Sequence, residues 1–374
     1  MKTPARASDR IPADLLSSAY TVEARVESWL GSEYLGALPV EDGSVSWDAT
    51  QQVQGSLSLN VPRVGAVESE DWRDWDPTDP THPLACFGQV LHVSLTIGSL
   101  IGGGWWTVQL GRFLITSVEP GDSTVRVTGK SLLQRLEEDR LTEPMAPDPA
   151  GSMASELRRL VGSRMGLIID PALRDCPCPS MVWGESRIDA VYEIAGAWPA
   201  VVREGGDGIL YVSPPTPDPT SRPELRLSDG AEGTVVGVAA SVNRDKIYNR
   251  MVTRGQSSDE GSPSFQYIAD QLTGPMRVDG PYGVVPRFFS SPLITSVAQA
   301  KSTAEAMLAD AVRKKIKVPV QHAPDPRIHL DAHIEVETRP VDGAPTRTMW
   351  GVVTAYEVPL TYKGTQKTDV EVVL

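Results

Sequence analysis

The 374-residue sequence carries 35 Lys and Arg against 48 Asp and Glu, a net charge of −13 that opposes general adhesion to nucleic-acid phosphates. Apolar residues make up 40% and charged residues 22%, which excludes a disordered or collagen-like chain. The length predicts two or three domains, and 32 Gly with 31 Pro predict many short strands joined by turns.

The opening MKTPARASDRIPADLLSSAY lacks the apolar core, roughly 7–15 residues, of a secretory signal, and no run of about 18 apolar residues occurs. Folding in the cytoplasm without membrane insertion is therefore expected. Cys86, Cys176 and Cys178 are too few for a disulfide framework and fit a reducing compartment.

From Tyr20 to about Val127 the segments TVEARVESW, GSVSWDA, GSLSLNV, VLHVSLTI, WWTVQL, GRFLITSV and STVRVTG alternate apolar and polar residues. That period of two, with Gly, Pro or Asp between segments, predicts short strands in a barrel or a sandwich. The acidic, Pro-rich stretch 68–83 reads as a surface loop, and Gly102-Gly103-Gly104 as a hairpin turn.

Between about 129 and 215 the period becomes 3.6. Ser131-Leu-Leu-Gln134 has capping-box spacing, Ser152 precedes a face of Leu157, Leu160, Val161 and Met165, and Ser186–Asp189 precedes Val191, Ile194, Ala195 and Trp198. With a strand at Asp207–Val212, this region reads as mixed α/β, followed by an extended connection at 214–223. Strands resume at Gly233–Ala239 and Ile247–Thr253, then a Gly/Ser/Pro-rich loop is expected over 255–290. Ser296–Gln299 opens an Ala-rich helix carrying Ala300, Ala304, Met307, Leu308 and Ala311, and the last 58 residues return to strand patterns. The run Arg313–Lys317 reads as the basic close of that helix, complementing its carbonyl end.

Three stretches imitate chemistry. TVRVTGKS (124–131) ends in Gly-Lys-Ser, but the glycine that a phosphate-cradling loop needs five positions earlier is Thr124, inside a strand. Cys176-Pro-Cys178 has no second pair at zinc-ligand spacing and one intervening residue where redox pairs have two. IHLDAHIEVE (328–337) places Ile328, Leu330, Ala332, Ile334 and Val336 at a period of two, so a strand is expected. His329, Asp331, His333 and Glu335 then share its polar face, with the two imidazoles about 13 Å apart, too far for one ion. No metal and no cofactor are expected, and no catalytic motif stands out among the many carboxylates.

The order of these segments resembles the tail hub family of tailed bacteriophages, which includes the hubs of contractile injection machines. GALPVEDGSVSWDATQQVQGSLSLNVP (36–62) resembles the opening barrel of minor tail proteins from phages of actinobacteria, through a G-S-V-x-x-D turn feeding an alternating strand. GRFLITSVEPGDSTVRVTGKSLLQRLEEDRL (111–141) resembles the family's strand pair followed by a Leu-rich helix. The segment from Ser296 to Leu374 resembles its closing unit, with Asp331-Ala332 standing where the family usually has Gly-Asp.

The resemblance implies a β-rich α+β fold with two tube-like β-barrel domains, at 1–128 and 235–374, around a mixed α/β domain at 129–234. It implies a non-enzymatic tail-tip hub in the virion, a homotrimer whose two barrels per copy present six quasi-equivalent positions to a sixfold tail tube. Implied partners are the distal tail or tail tube protein, the tape measure protein and other minor tail or fibre proteins, with DNA passing through unbound. Trp72, Trp75, Phe288 and Phe289 in the long loops 64–83 and 255–290, and the polar face of His329, Asp331, His333 and Glu335, are the expected contacts. The alternative readings are a tail protein binding a host-surface glycan, and a cell-wall hydrolase, for which the hub plan leaves no appended domain.

Overall fold

Most of the alternating segments become β-strands in the computed structural model. It describes residues 11–12, 15–18, 20–65, 73–101, 103–215, 223–230, 233–238, 248–255, 265–291, 294, 296–312, 315–339 and 345–373. The chain divides into two compact units, Met1–Ala239 with Pro319–Val370, and Ala240–Val318 with Glu371–Leu374.

The first unit opens with strands β1 (Tyr20–Leu30), β2 (Glu33–Leu38), β3 (Asp42–Asp48), β4 (Gly55–Pro62), the short pair β5 (Val64–Gly65) and β6 (Arg73–Asp74), then β7 (Gln89–Ser99), β8 (Trp105–Pro120) and β9 (Thr124–Ser131). Period two sends Val45, Trp47, Leu57, Leu59, Val61, Val125 and Val127 into one core, each 2% exposed or less, while Ser44, Ser58 and Thr128 stay accessible. Each such aliphatic burial contributes about 1.5–3 kcal/mol. WWTVQL and GRFLITSV, expected as two strands, join in the 16-residue β8, where a register shift opposite Val93 and Ser94 absorbs the irregularity. Gly111 makes this possible: a Cβ there would lie 2.4 Å from the Phe113 ring. Gly103 and Gly104, with φ of 69° and 109°, turn the β7–β8 hairpin.

The middle of the chain forms helices α1 (Gln134–Glu138) and α2 (Met153–Val161), strand β10 (Gly166–Ile169), helix α3 (Arg187–Ala197), and strands β11 (Val201–Glu204) and β12 (Ile209–Ser213). β10 and β11 flank β12, and Leu157, Leu160, Trp183, Ile188, Val191 and Ile194 build a second core against them. Ser152 and Ser186 cap α2 and α3 as their spacing predicts. Ser131 does not cap α1. Glu204 from β11 takes the free amides of Leu132 and Leu133 instead.

Next come β13 (Leu225–Ser228) and β14 (Val235–Val238), then β15 (Arg250–Gly255), β16 (Phe265–Asp270), β17 (Pro286–Ser291) and helix α4 (Val297–Val312). The chain closes with β18 (Lys315–His322), β19 (His333–Thr338), β20 (Arg347–Pro359) and β21 (Gln366–Val373). Strands from both ends share one 13-stranded sheet in the order β14-β18-β21-β20-β3-β4-β9-β8-β7-β1-β2, with β19 on β20 and β13 on β19. The seam is antiparallel, with Val358 opposite Val45 and Tyr356 opposite Trp47. The path ends at β14 and β2 without closing among the described strands.

Three expectations need correction. The stretch 328–332 is a turn and β19 begins only at His333, because Asp331 adopts φ +63°, a conformation no strand residue holds. The apolar positions stay buried, and His333, at 4% exposed, is buried as well, unlike the accessible Glu335 two positions on. The 255–290 segment is not all loop, since FQYIAD and PRFFSS pair with β15 from either side. Lys315 and Lys317 lie in β18, beyond the end of α4.

Candidate assembly surfaces

Trp72 lies outside the described residues. Trp75 packs inward at 3% exposed; its Nε1 donates to the Gly65 carbonyl at 3.2 Å, and the Arg73 guanidinium lies 5.3 Å from its ring centroid.

The polar residues around β19 are engaged within the chain. His329 Nε2 lies 3.5 Å from a Glu224 carboxylate oxygen, and Asp331 accepts two bonds from Arg203. Glu335 accepts from Trp350 Nε1 at 2.9 Å and pairs with Arg226 at 3.1 Å. These contacts tie neighbouring segments together. Among the described residues, no group of three or more His, Cys, Asp or Glu converges to hold a metal.

Phe288 and Phe289 lie on β17 of the second unit, on opposite faces of the β16-β15-β17 sheet. One face is covered by α4: Met251 and Ala269 pack with Ala304 and Leu308, and the Thr253 hydroxyl donates to the Ala300 carbonyl at 2.9 Å. The other carries Arg250, Val252 and Arg254 from β15. There Ile268, Val252 and Phe288 form a row across three strands, with Ile268 and Phe288 exposed at 46% and 58% over a buried Val252. Arg254 lies 5.1 Å from the Phe288 ring centroid, and Arg250 grips Asp270 through two 2.6 Å bonds.

Asn249 fixes the connection between β16 and β17. Its buried side chain donates to the carbonyls of Met276 and Gly283 at 2.9 and 2.6 Å and accepts from the Val285 amide at 2.7 Å. The Ile268 row was missed because flanking Gly and Pro hid two six-residue strands. The alternation in QYIAD was the available signal.

Within the first unit, Glu204 is buried with its oxygens 2.8 and 3.0 Å from the Leu132 and Leu133 amides. Burial pushes its carboxyl up to about 7, assisted by the Asp207 charge and opposed by Ser131 and the two amides. Gln54 completes the junction, accepting from the Glu204 amide and donating to Val202 and Tyr192. A shallow polar cleft of about 360 Å³ opens at the β20–β3–β4 seam, lined by Asp42, Ser44, Ser58, Asn60, Glu357 and Thr361, with Lys367 and other residues.

No family model matches the sequence, and no curated protein matches it. Solved structures share its fold. The tail protein from Neisseria meningitidis MC58 superposes with a TM-score of 0.65 at 12% identity, covering 94% of this chain and 97% of that one. The 43 kDa tail protein of prophage MuSo2 from Shewanella oneidensis gives a TM-score of 0.62 at 10% identity, covering 93% and 98%. Prophage tail protein gp18 from Listeria monocytogenes EGD-e gives 0.52 at 9% identity, covering 93% and 94%. The chain therefore has the architecture of phage tail proteins.

Proposed function

We propose that this chain is a structural hub protein of a phage tail tip, three copies of which form a ring between the tail tube and the tip. The observation that carries the reading is two-way coverage: 94% of this chain matches 97% of a solved tail protein. A likeness of that extent concerns the whole plan of the chain, so the role proposed is that of the plan, structural and non-enzymatic.

The geometry supplies a means. In this reading the two strand-rich ends, residues 1–128 and 235–374 around the α/β region 129–234, act as two tube-like halves of each copy, and the pairing of β20 with β3 supports a link between them. Three copies then offer six similar positions to a sixfold partner and threefold symmetry on the other side. Among the described strands the sheet path ends at β14 and β2, whose outer edges offer backbone groups to neighbours. The net charge of −13 suits a conduit that DNA crosses without adhering. The proposed partners are a distal tail or tail tube protein, the tape measure protein and other minor tail or fibre proteins.

Electron microscopy of the purified protein mixed with tail tubes tests the reading. Rings capping the tubes support it, whereas bare tubes beside single-copy particles count against it. The polar cleft at the seam favours a second reading, binding of a host-surface glycan, because its hydroxyl, amide and carboxylate groups match a polyhydroxylated ligand. Retention of the protein on host cell walls, lost on Asn60→Ala, would support that reading.

A further inference from the structure

The second unit differs in charge from the rest of the chain. It holds 11 Lys and Arg against 8 Asp and Glu, whereas the first unit holds 24 against 40. A cationic unit and a strongly anionic one within one chain are complementary between copies. On the cationic unit, α4 covers one face of the three-stranded sheet and leaves Ile268, Phe288 and Arg254 accessible on the other.

We propose that this uncovered face of the β16-β15-β17 sheet docks on the acidic first unit of a second copy of the chain. The proposal rests on the ring reading above and names the surface through which neighbouring copies meet. A contact between unlike surfaces is heterologous, and repeated around an axis it closes a ring.

The composition of the face is that of an interface centre. An aromatic ring and a guanidinium flank an aliphatic row, while the Arg250–Asp270 pair neutralises one end. Six residues along three strands cover roughly 20 by 14 Å, about a third of the ~800 Å² per partner of a stable interface. The contact therefore extends over the adjoining segment 271–285, where Leu272 and Val284 are exposed and Asn249 fixes the backbone in advance.

A nucleic acid would also be drawn to cationic charge beside an aromatic ring. Single-stranded binding requires successive stacking rings, however, and among the described residues of the three strands this face presents one, Phe288, in an aliphatic row. The occupant that fits is a protein surface, and the acidic complement is the chain's own first unit.

The test measures the mass of the full chain by sedimentation over a concentration series at low and high salt. Arg254→Glu combined with Phe288→Ser is compared with Val297→Ser, which alters an exposed side chain on α4, across the sheet from the proposed face. Wild type and Val297→Ser should assemble alike and weaken with salt, and the double variant should assemble at least about 30-fold more weakly. Equal assembly of the double variant overturns the proposal while leaving the ring reading intact. A wild type that stays single at every concentration overturns both. If the double variant loses binding to single-stranded DNA but assembles normally, the face belongs to nucleic acid and the proposal fails. Should the double variant melt early, Ile268→Lys alone is read by the same criteria.

Discussion

Arg203 holds Asp331 by two hydrogen bonds, Nε to Oδ2 at 2.6 Å and Nη2 to Oδ1 at 3.1 Å, joining β11 to the turn before β19. Asp331 has φ +63°, where most residues with a Cβ are strained and Asp is among the better tolerated. The residue that departs from the Gly-Asp pattern thus keeps the backbone shape glycine would allow and adds an ion pair. Asp331→Ala should destabilise the protein by about 1–3 kcal/mol, since it loses the bidentate pair and meets the left-handed penalty. Asp331→Gly should cost less. Denaturant midpoints of both variants decide the order, and a costlier Gly variant would show that the ion pair alone matters.

Glu204 and His322 give opposing pH dependence. The Glu204 pKa rises on folding, so its contribution is full below about 4.5 and is lost as pH rises through about 7, on the order of 3 kcal/mol. His322 is buried, with Nδ1 donating to the Ala323 carbonyl at 2.6 Å and Nε2 lying 2.9 Å from the Thr368 hydroxyl. Burial lowers its pKa, so its contribution is present above 6.5 and lost on acidification. Between pH 5 and pH 7 the two contributions therefore run in opposite directions. Glu204→Gln should remove the falling arm, leaving stability that rises with pH, and should cost about 1–2 kcal/mol at pH 5 because its –NH2 cannot accept the backbone N–H that the second carboxyl oxygen receives. Urea midpoints across that range measure both effects; an unchanged slope in the variant would refute the assignment.

Asn249→Ala should release the segment 271–285, because the Met276 and Gly283 carbonyls and the Val285 amide lose their common partner. A cost of about 2–4 kcal/mol is expected, with faster amide hydrogen exchange in that segment than in α4. Exchange that accelerates equally in both would show that Asn249 holds the whole unit.

Local rules were legible in the sequence where the partner is local or the face is continuous. GSVSWDA and GSLSLNV became β3 and β4, and Ser152 and Ser186 cap the helices that follow them. Expectations that failed depended on distant residues. The cap of α1 comes from Glu204, more than 70 positions after Ser131, and no spacing rule encodes that. The turn at 328–332 preserves strand-like burial of Ile328, Leu330 and Ala332, so period two alone could not separate it from β19. Of the expected contact residues, Phe288 lies on the exposed sheet face, while Trp75 is buried and Asp331 is tied to Arg203.

The most direct test of the central claim is the mass of the full-length protein in solution by light scattering at low ionic strength. A species of three chain masses, ring-shaped in the electron microscope, is the predicted result. A single-chain mass at every concentration, with retention on host cell walls, would contradict the hub reading and favour a receptor-binding tail protein.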